Sequence, residues 1–148
     1  PDRFRERYSQ CQARLVQQQL ENVGDYADAR ISAAKIYFEE LSGIPGLQLP
    51  PRNNSRSHTY MAFPIQVENR DALIRHMLLS NRDVAGQHLR NCADLPAFSE
   101  FKNNCPNAAA TAESVVLLPT YPRYSHSEVV KTARSVRSFF ENSNSKPE

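Results

Sequence analysis

Apolar positions in the first third of the chain recur at helical spacing. Leu15, Val16, Leu20 and Val23 draw a narrow stripe through a Gln-rich run, and Ser9 is placed to cap it. A second stripe begins at Asp25, with Tyr26, Ala29, Ala33, Ile36, Tyr37 and Leu41 on one side, and stops at Ser42 and Gly43 with Pro45 just beyond. Gly24 lies between them. A glycine inside a helix costs ~1 kcal/mol relative to alanine, and the stripe changes register here, so Gly24 is expected to mark a bend between two helices.

The pattern then shortens. Leu47 to Leu49 is a brief strand closed by Pro50 and Pro51, and the polar tract Arg52 to Ser57 is a loop. His58 to Val67 alternates, with Thr59, Met61, Phe63, Ile65 and Val67 expected toward the core and Tyr60 on the other face. Pro64 places this strand at an edge or a bulge. Asn69 opens a helix carrying Leu73, Ile74, Met77 and Leu78, Asp83 to Leu89 reads as a further strand, and Leu95 to Asn104 as irregular chain with one helical turn.

The segment CPNAAATAESVVLLPTYPRYSHSEVVKTARSVRSFF, Cys105 to Phe140, carries the sharpest punctuation. Ala108 to Ser114 suits a short helix, and Val115 to Leu118 is too short and apolar for anything but a buried strand. Pro119 and Pro122 then interrupt regular structure around Thr120 and Tyr121. Ser125 with Glu128 three residues later makes a capping box, and Val129, Ala133, Val136 and Phe140 share a helix face. Strands separated by helices give an α/β class, a three- to four-stranded sheet packed by helices with a long N-terminal helical lead. Residues 1–141 read as one domain and 142–148 as a frayed tail.

Composition narrows the partners. The 148 residues carry a formal charge of +2 with both signs interspersed, which gives no field for nucleic acid or lipid. No apolar run approaches the ~18 residues of a membrane span, and no secretion signal opens the chain, so a cytoplasmic setting is expected. Cys11, Cys92 and Cys105 share no metal-binding spacing and read as ordinary thiols acting as small buried hydrophobes. Without a secretion signal, the sequon Asn53-Asn54-Ser55 carries no weight. Arg3, Arg5, Arg7 and Arg14 crowd the start, where they either meet a phosphate or solvate a helix. No pair of acidic residues is placed for acid–base work, and His76 and His126 fall at solvated helix positions.

Four segments together resemble one family. LP-x-YP at Leu118 to Pro122 looks like the hinge before the last helix of the DegT/DnrJ/StrS-type nucleotide-sugar aminotransferases. FRERYSQCQARLVQQQLENV is similar to the family segment Y-N-x-R-M-S-E-L-Q-A-A, with Arg7, Ser9, Gln12 and Ala13 in place, Arg5 at the family's Asn and Tyr8 at its Met. SHTYMAFPIQV resembles H-x-Y-x-x-F-x-I-x-V through His58, Tyr60, Phe63, Ile65 and Val67, and DVAGQHLRN resembles G-I-x-T-G-x-H-Y through Gly86 and His88. The resemblance runs from about Phe4 to Phe140.

It implies the small C-terminal domain of a fold-type I enzyme that uses pyridoxal phosphate to move an amino group from a donor such as glutamate to a nucleotide-linked keto-sugar. Within that scheme Arg5 and Arg7 meet the cofactor phosphate across a homodimer interface, and His58, Tyr60 and His88 line the substrate cleft. None of the four lysines, Lys35, Lys102, Lys131 and Lys146, has the family's cofactor-lysine surroundings. The chain is thus expected not to be catalytically competent alone, and its partner is a missing large domain bearing that lysine. The rival reading is a non-catalytic α/β module, for instance a sheet-based RNA binder, although the best strand lacks the aromatic platform such modules use.

Overall fold

The computed structural model describes residues 7–53, 57–86, 89–101 and 103–144. Two consecutive helices open it, α1 (Gln10–Glu21) and α2 (Val23–Glu40), and they part at Asn22, two residues ahead of the expected break. Gly24 sits inside the first turn of α2, with nothing within 4 Å of where a Cβ would stand. Asn22 ends α1 instead because its own side chain bonds back to the Gln18 carbonyl. The start of α1 is closed by a full capping box, the Ser9 hydroxyl accepting from Gln12 N–H and the Gln12 side chain accepting from Ser9 N–H.

The sheet holds β1 (Leu47–Gln48), β2 (Phe63–Val67) and β3 (Val115–Leu118), antiparallel and in that order. Leu47 pairs with Val67 and Phe63 with Leu118. Pro64 is therefore on the middle strand, but β1 ends opposite Gln66, so at Pro64 the strand meets β3 alone and the missing N–H is tolerated as at an edge. Helix α3 (Arg70–Leu79) follows β2, two 3-10 turns cover Cys92–Asp94 and Pro96–Phe101, α4 (Pro106–Ser114) runs directly into β3, and α5 (His126–Asn144) ends the description. That last helix passes Asn142, where the tail was expected to start; residues 145–148 lie outside the described residues.

One core joins the sheet to α2, α3 and α5. Phe63, Ile65, Val116 and Leu118 are fully buried against Tyr37, Leu41, Leu73, Met77, Val129, Ala133 and Val136. Each Val, Leu, Ile, Phe or Met among them contributes about 1.5–3 kcal/mol by leaving water, which makes this interface the source of the domain's cohesion. By contrast α1 buries nothing, and its stripe of Leu15, Val16 and Leu20 is exposed, as is Val23 at the start of α2.

Two expected strands are shorter than their patterns. The His58–Val67 run is extended only from Phe63, because Tyr60 adopts a left-handed φ of 48°. That one residue shifts the alternation ahead of the strand: Tyr60 turns inward and Met61 is 83% exposed. The Asp83–Leu89 run keeps one bridge, Ala85 to Leu117, after which the Leu89 N–H returns to the Gly86 carbonyl and pairing stops. The three thiols, expected to be buried, are all exposed. His76, expected in solvent, is half-buried between α3 and α5, with Nε2 3.0 Å from the Ser135 carbonyl and its ring against Phe139.

Candidate functional site

At the end of the sheet next to α2, three distant pieces of sequence converge. The loop ahead of β2 brings His58, Tyr60 and Met61, the turn after β3 brings Thr120, and α2 sends Arg30. Thr120 is 1% exposed, and its hydroxyl stands 2.6 Å from the Tyr60 carbonyl and 3.0 Å from the Met61 carbonyl. Arg30 Nη1 donates to the same Met61 carbonyl at 2.7 Å and lies 3.5 Å from the Thr120 hydroxyl. A buried hydroxyl and a guanidinium thus satisfy the two carbonyls that the left-handed turn would leave without sheet partners.

His58 is exposed, and its imidazole lies against the Tyr60 ring with centroids 4.1 Å apart. Its Nδ1 accepts the Tyr60 N–H at 3.2 Å. Tyr60 is 4% exposed; its phenol donates to the Asn53 carbonyl at 3.0 Å and accepts the Asn53 N–H at 3.2 Å. Of the five residues singled out from the sequence, His58 and Tyr60 are thus brought into contact. Arg7 is exposed two residues ahead of the α1 cap, on an element without buried residues. Arg5 and His88 lie outside the described residues.

Behind the loop, a polar cluster fixes the turn at Thr120. The Tyr37 phenol donates to the Pro119 carbonyl at 3.0 Å, and burial pushes its ionisation far above the ordinary tyrosine range. The Tyr124 and Thr132 hydroxyls bond at 2.7 Å, and the Tyr124 ring lies 5.0 Å from that of Tyr121. Burial, and next the negative charge of Asp83, raise Tyr121 as well. Ser125 caps α5 as expected, but Glu128 does not reach back to complete a box. Its carboxylate takes Lys131 at 2.6 Å and Arg82 at 2.5 Å, and these hydrogen bonds, that of Lys131 first, hold it below the usual carboxylate range.

Sequence reasoning overlooked Arg30 and Thr120. A signal existed for each: Arg30 interrupts the apolar stripe between Tyr26 and Ala33, and Thr120 is a polar residue enclosed by Pro119 and Tyr121 where the chain is otherwise burying itself. Grooves elsewhere, about 540 Å3 between α3 and α5 and about 460 Å3 beside β1 and α4, are lined by other residues. Among the described residues no group of three or more His, Cys, Asp or Glu is placed to hold a metal, and no helix is long and apolar enough to cross a membrane.

Comparison with known proteins places this arrangement. The model of the DegT/DnrJ/EryC1/StrS aminotransferase family matches residues 4–137. A UDP-N-acetyl-3-dehydro-alpha-D-glucosamine 3-aminotransferase of Acidithiobacillus ferrooxidans is 27% identical over 135 residues, 90% of this chain and 36% of that protein. A dTDP-3-amino-3,4,6-trideoxy-alpha-D-glucose transaminase of Streptomyces venezuelae is 23% identical over 91% of this chain and 36% of its own length. The crystal structure of S. venezuelae DesV with a ketimine intermediate superposes with a TM-score of 0.81 at 22% identity, over 86% of this chain and 35% of that one. The chain spans about a third of the length of the relatives it matches.

Proposed function

Because this chain belongs to the DegT/DnrJ/EryC1/StrS aminotransferase family, we propose that it is the small C-terminal domain of a pyridoxal-phosphate-dependent aminotransferase acting on nucleotide-linked keto-sugars. The observation that carries this reading is the pairing of near-complete coverage of this chain with coverage of about a third of its sugar-aminotransferase relatives. In the assembled protein the domain closes over the substrate and takes part in a homodimer, and a larger domain is its partner.

The cofactor's covalent anchor fits poorly on the described residues. Pyridoxal phosphate supplies an electron sink for amino transfer and needs a lysine held in a prepared pocket. Lys35 is exposed on α2 and Lys131 is engaged by Glu128; Lys102 and Lys146 lie outside the described residues. We therefore assign the anchor to polypeptide beyond this chain and derive no step through the cofactor. Arg7, with Arg5, offers forked donors for a phosphate. His58 offers an exposed ring to the ligand. Tyr60, with both hydroxyl roles occupied by Asn53, holds that ring in place instead of touching the ligand through its phenol. The RNA-binding alternative finds no support at β2, where Phe63 and Ile65 are buried in the core instead of forming an exposed aromatic platform.

The test is the coding sequence ahead of Pro1 together with the protein it encodes. A few hundred codons containing a cofactor lysine, and amino transfer from glutamate to a keto-sugar nucleotide by the joined protein, are expected. The 148-residue chain alone, incubated with pyridoxal phosphate and dialysed, is expected to keep no absorbance near the visible edge. A retained band that borohydride abolishes would place the anchor in this chain and overturn the assignment.

A further inference from the structure

The contacts around His58 decide where its ring carries a proton. A neutral imidazole has one N–H donor and one acceptor nitrogen. The Tyr60 N–H, 3.2 Å from Nδ1, requires a lone pair there, which leaves the proton on Nε2, at the opposite edge of an exposed ring. Stacking on the Tyr60 ring at 4.1 Å fixes the plane in which that N–H lies.

The Tyr60 N–H turns back toward His58 because Tyr60 has a φ of 48°, a conformation that a bulky residue rarely adopts without support. That support is specific. The Thr120 hydroxyl has one proton and serves two carbonyls, those of Tyr60 and Met61, while Arg30 supplies a second donor to Met61. Phe38 packs edge-on against the Tyr60 ring with centroids 6.0 Å apart, which keeps the ring inward.

We infer that Thr120 and Arg30 are positioning residues that hold the loop ahead of β2 so that His58 is fixed as an Nε2–H donor, aimed at an acceptor oxygen of the ligand. The ligand half of this inference rests on the function proposed above; the tautomer half does not. A ring free to exchange its proton between nitrogens offers a donor for part of the time, whereas a locked ring offers it continuously and selects oxygen acceptors over donors.

The experiment is nitrogen-15 NMR of the imidazole near pH 8.5, where an ordinary histidine is neutral. The chain is expected to show a protonated Nε2 and a bare Nδ1, with under a tenth of the other tautomer. Thr120→Ser, which keeps the hydroxyl, is expected to preserve that ratio, and Thr120→Val to raise the Nδ1–H form at least threefold. Should Thr120→Val not fold, Arg30→Met removes one donor from the exposed side of the latch and is expected to raise the same form. A chain whose His58 already carries its proton on Nδ1, or a ratio unmoved in the folded variants, overturns the latch. In the assembled protein, titration with UDP-N-acetylglucosamine is expected to shift the His58 Nε2–H signal. A locked tautomer with no such shift refutes the ligand role of His58 and leaves the latch standing, so the two failures are distinguishable.

Discussion

Replacing Tyr37 by phenylalanine removes a buried hydroxyl and gives its loss a signature in pH. Tyr37 has no solvent exposure, and its hydroxyl donates to the carbonyl of Pro119, itself buried at the end of β3. The variant keeps the ring and its tilted contact with Phe63 at 5.1 Å, so packing changes little while the Pro119 carbonyl loses its partner. Leaving a buried acceptor unsatisfied costs about 1–2 kcal/mol at neutral pH. The alkaline limb behaves in the opposite way. Burial raises the phenol's ionisation in the folded chain, whereas in the unfolded chain it ionises near pH ~10. Above that value the unfolded state binds fewer protons than the folded state, so stability falls as pH rises. At about pH 11 the unfolded tyrosine gains about 1.4 kcal/mol by ionising, and the parent protein loses that much relative to the phenylalanine variant.

The two stability curves should therefore be about 1–2 kcal/mol apart at about pH 8 and nearly converge at about pH 11. Urea unfolding followed by far-ultraviolet circular dichroism suits a chain with no tryptophan. Contributions from the groups that do not face Tyr37 are common to both proteins and cancel in the difference. A gap that stays constant across this range would mean that the Tyr37 phenol titrates as it does in the unfolded chain and would refute its burial, whereas a gap near zero at about pH 8 would refute its bond to Pro119.

Three further outcomes follow from other parts of the fold. Glu128→Gln should destabilise the chain at neutral pH, and because the folded carboxyl is held low by Lys131 and then Arg82, the parent's advantage is complete above the ordinary carboxylate range and lost as pH falls through it; matching acid denaturation curves would count against this. Gly24→Ala, in open space in the first turn of α2, should stabilise by about 0.5–1 kcal/mol, whereas Gly86→Ala, whose Cβ would meet the Val115 carbonyl at 3.0 Å, should cost about 1–3 kcal/mol; thermal melts of both variants check the opposite signs. On the function proposed above, Arg7→Ala in the joined protein should weaken nucleotide-sugar or cofactor binding roughly ten- to a hundred-fold, and His58→Ala less, as read by calorimetric titration; parental affinity in the arginine variant would remove the N-terminal cluster from the proposed site.

What the sequence disclosed follows the range of the forces involved. Helix α5 was legible because its cap and its buried face are both local: Ser125 caps Glu128 N–H, and Val129, Ala133 and Val136 lie on the core. Strand β3 was legible for a related reason, an apolar run with a proline at its end. The strand ahead of it in space was over-read. His58 to Val67 alternates perfectly on paper, but the left-handed turn at Tyr60 is imposed by Thr120, sixty residues away, and no window on the local sequence contains that contact. Glu128 departs from its expected partner because its two oxygens are taken by Lys131 on the next turn and by Arg82, 46 residues distant, and only the second of these is beyond a local reading.

Of the candidate site, two residues stood out in the sequence, but not how they meet. His58 and Tyr60 stood out as motif positions, yet the pattern gave them parallel roles, and the structure separates them: one ring is exposed, and the other is buried beneath it with its hydroxyl engaged. That division is a consequence of burying a polar turn. Once the chain leaves the extended conformation at Tyr60, two carbonyls lose their sheet partners, and the buried one, that of Tyr60, would cost about 1–3 kcal/mol if left unsatisfied. A threonine after Pro119 and an arginine within an apolar helix stripe are the least intrusive groups able to donate there. Their presence breaks the apolar pattern, and it is explained by what they hold in place. The loop they hold presents His58 at the surface.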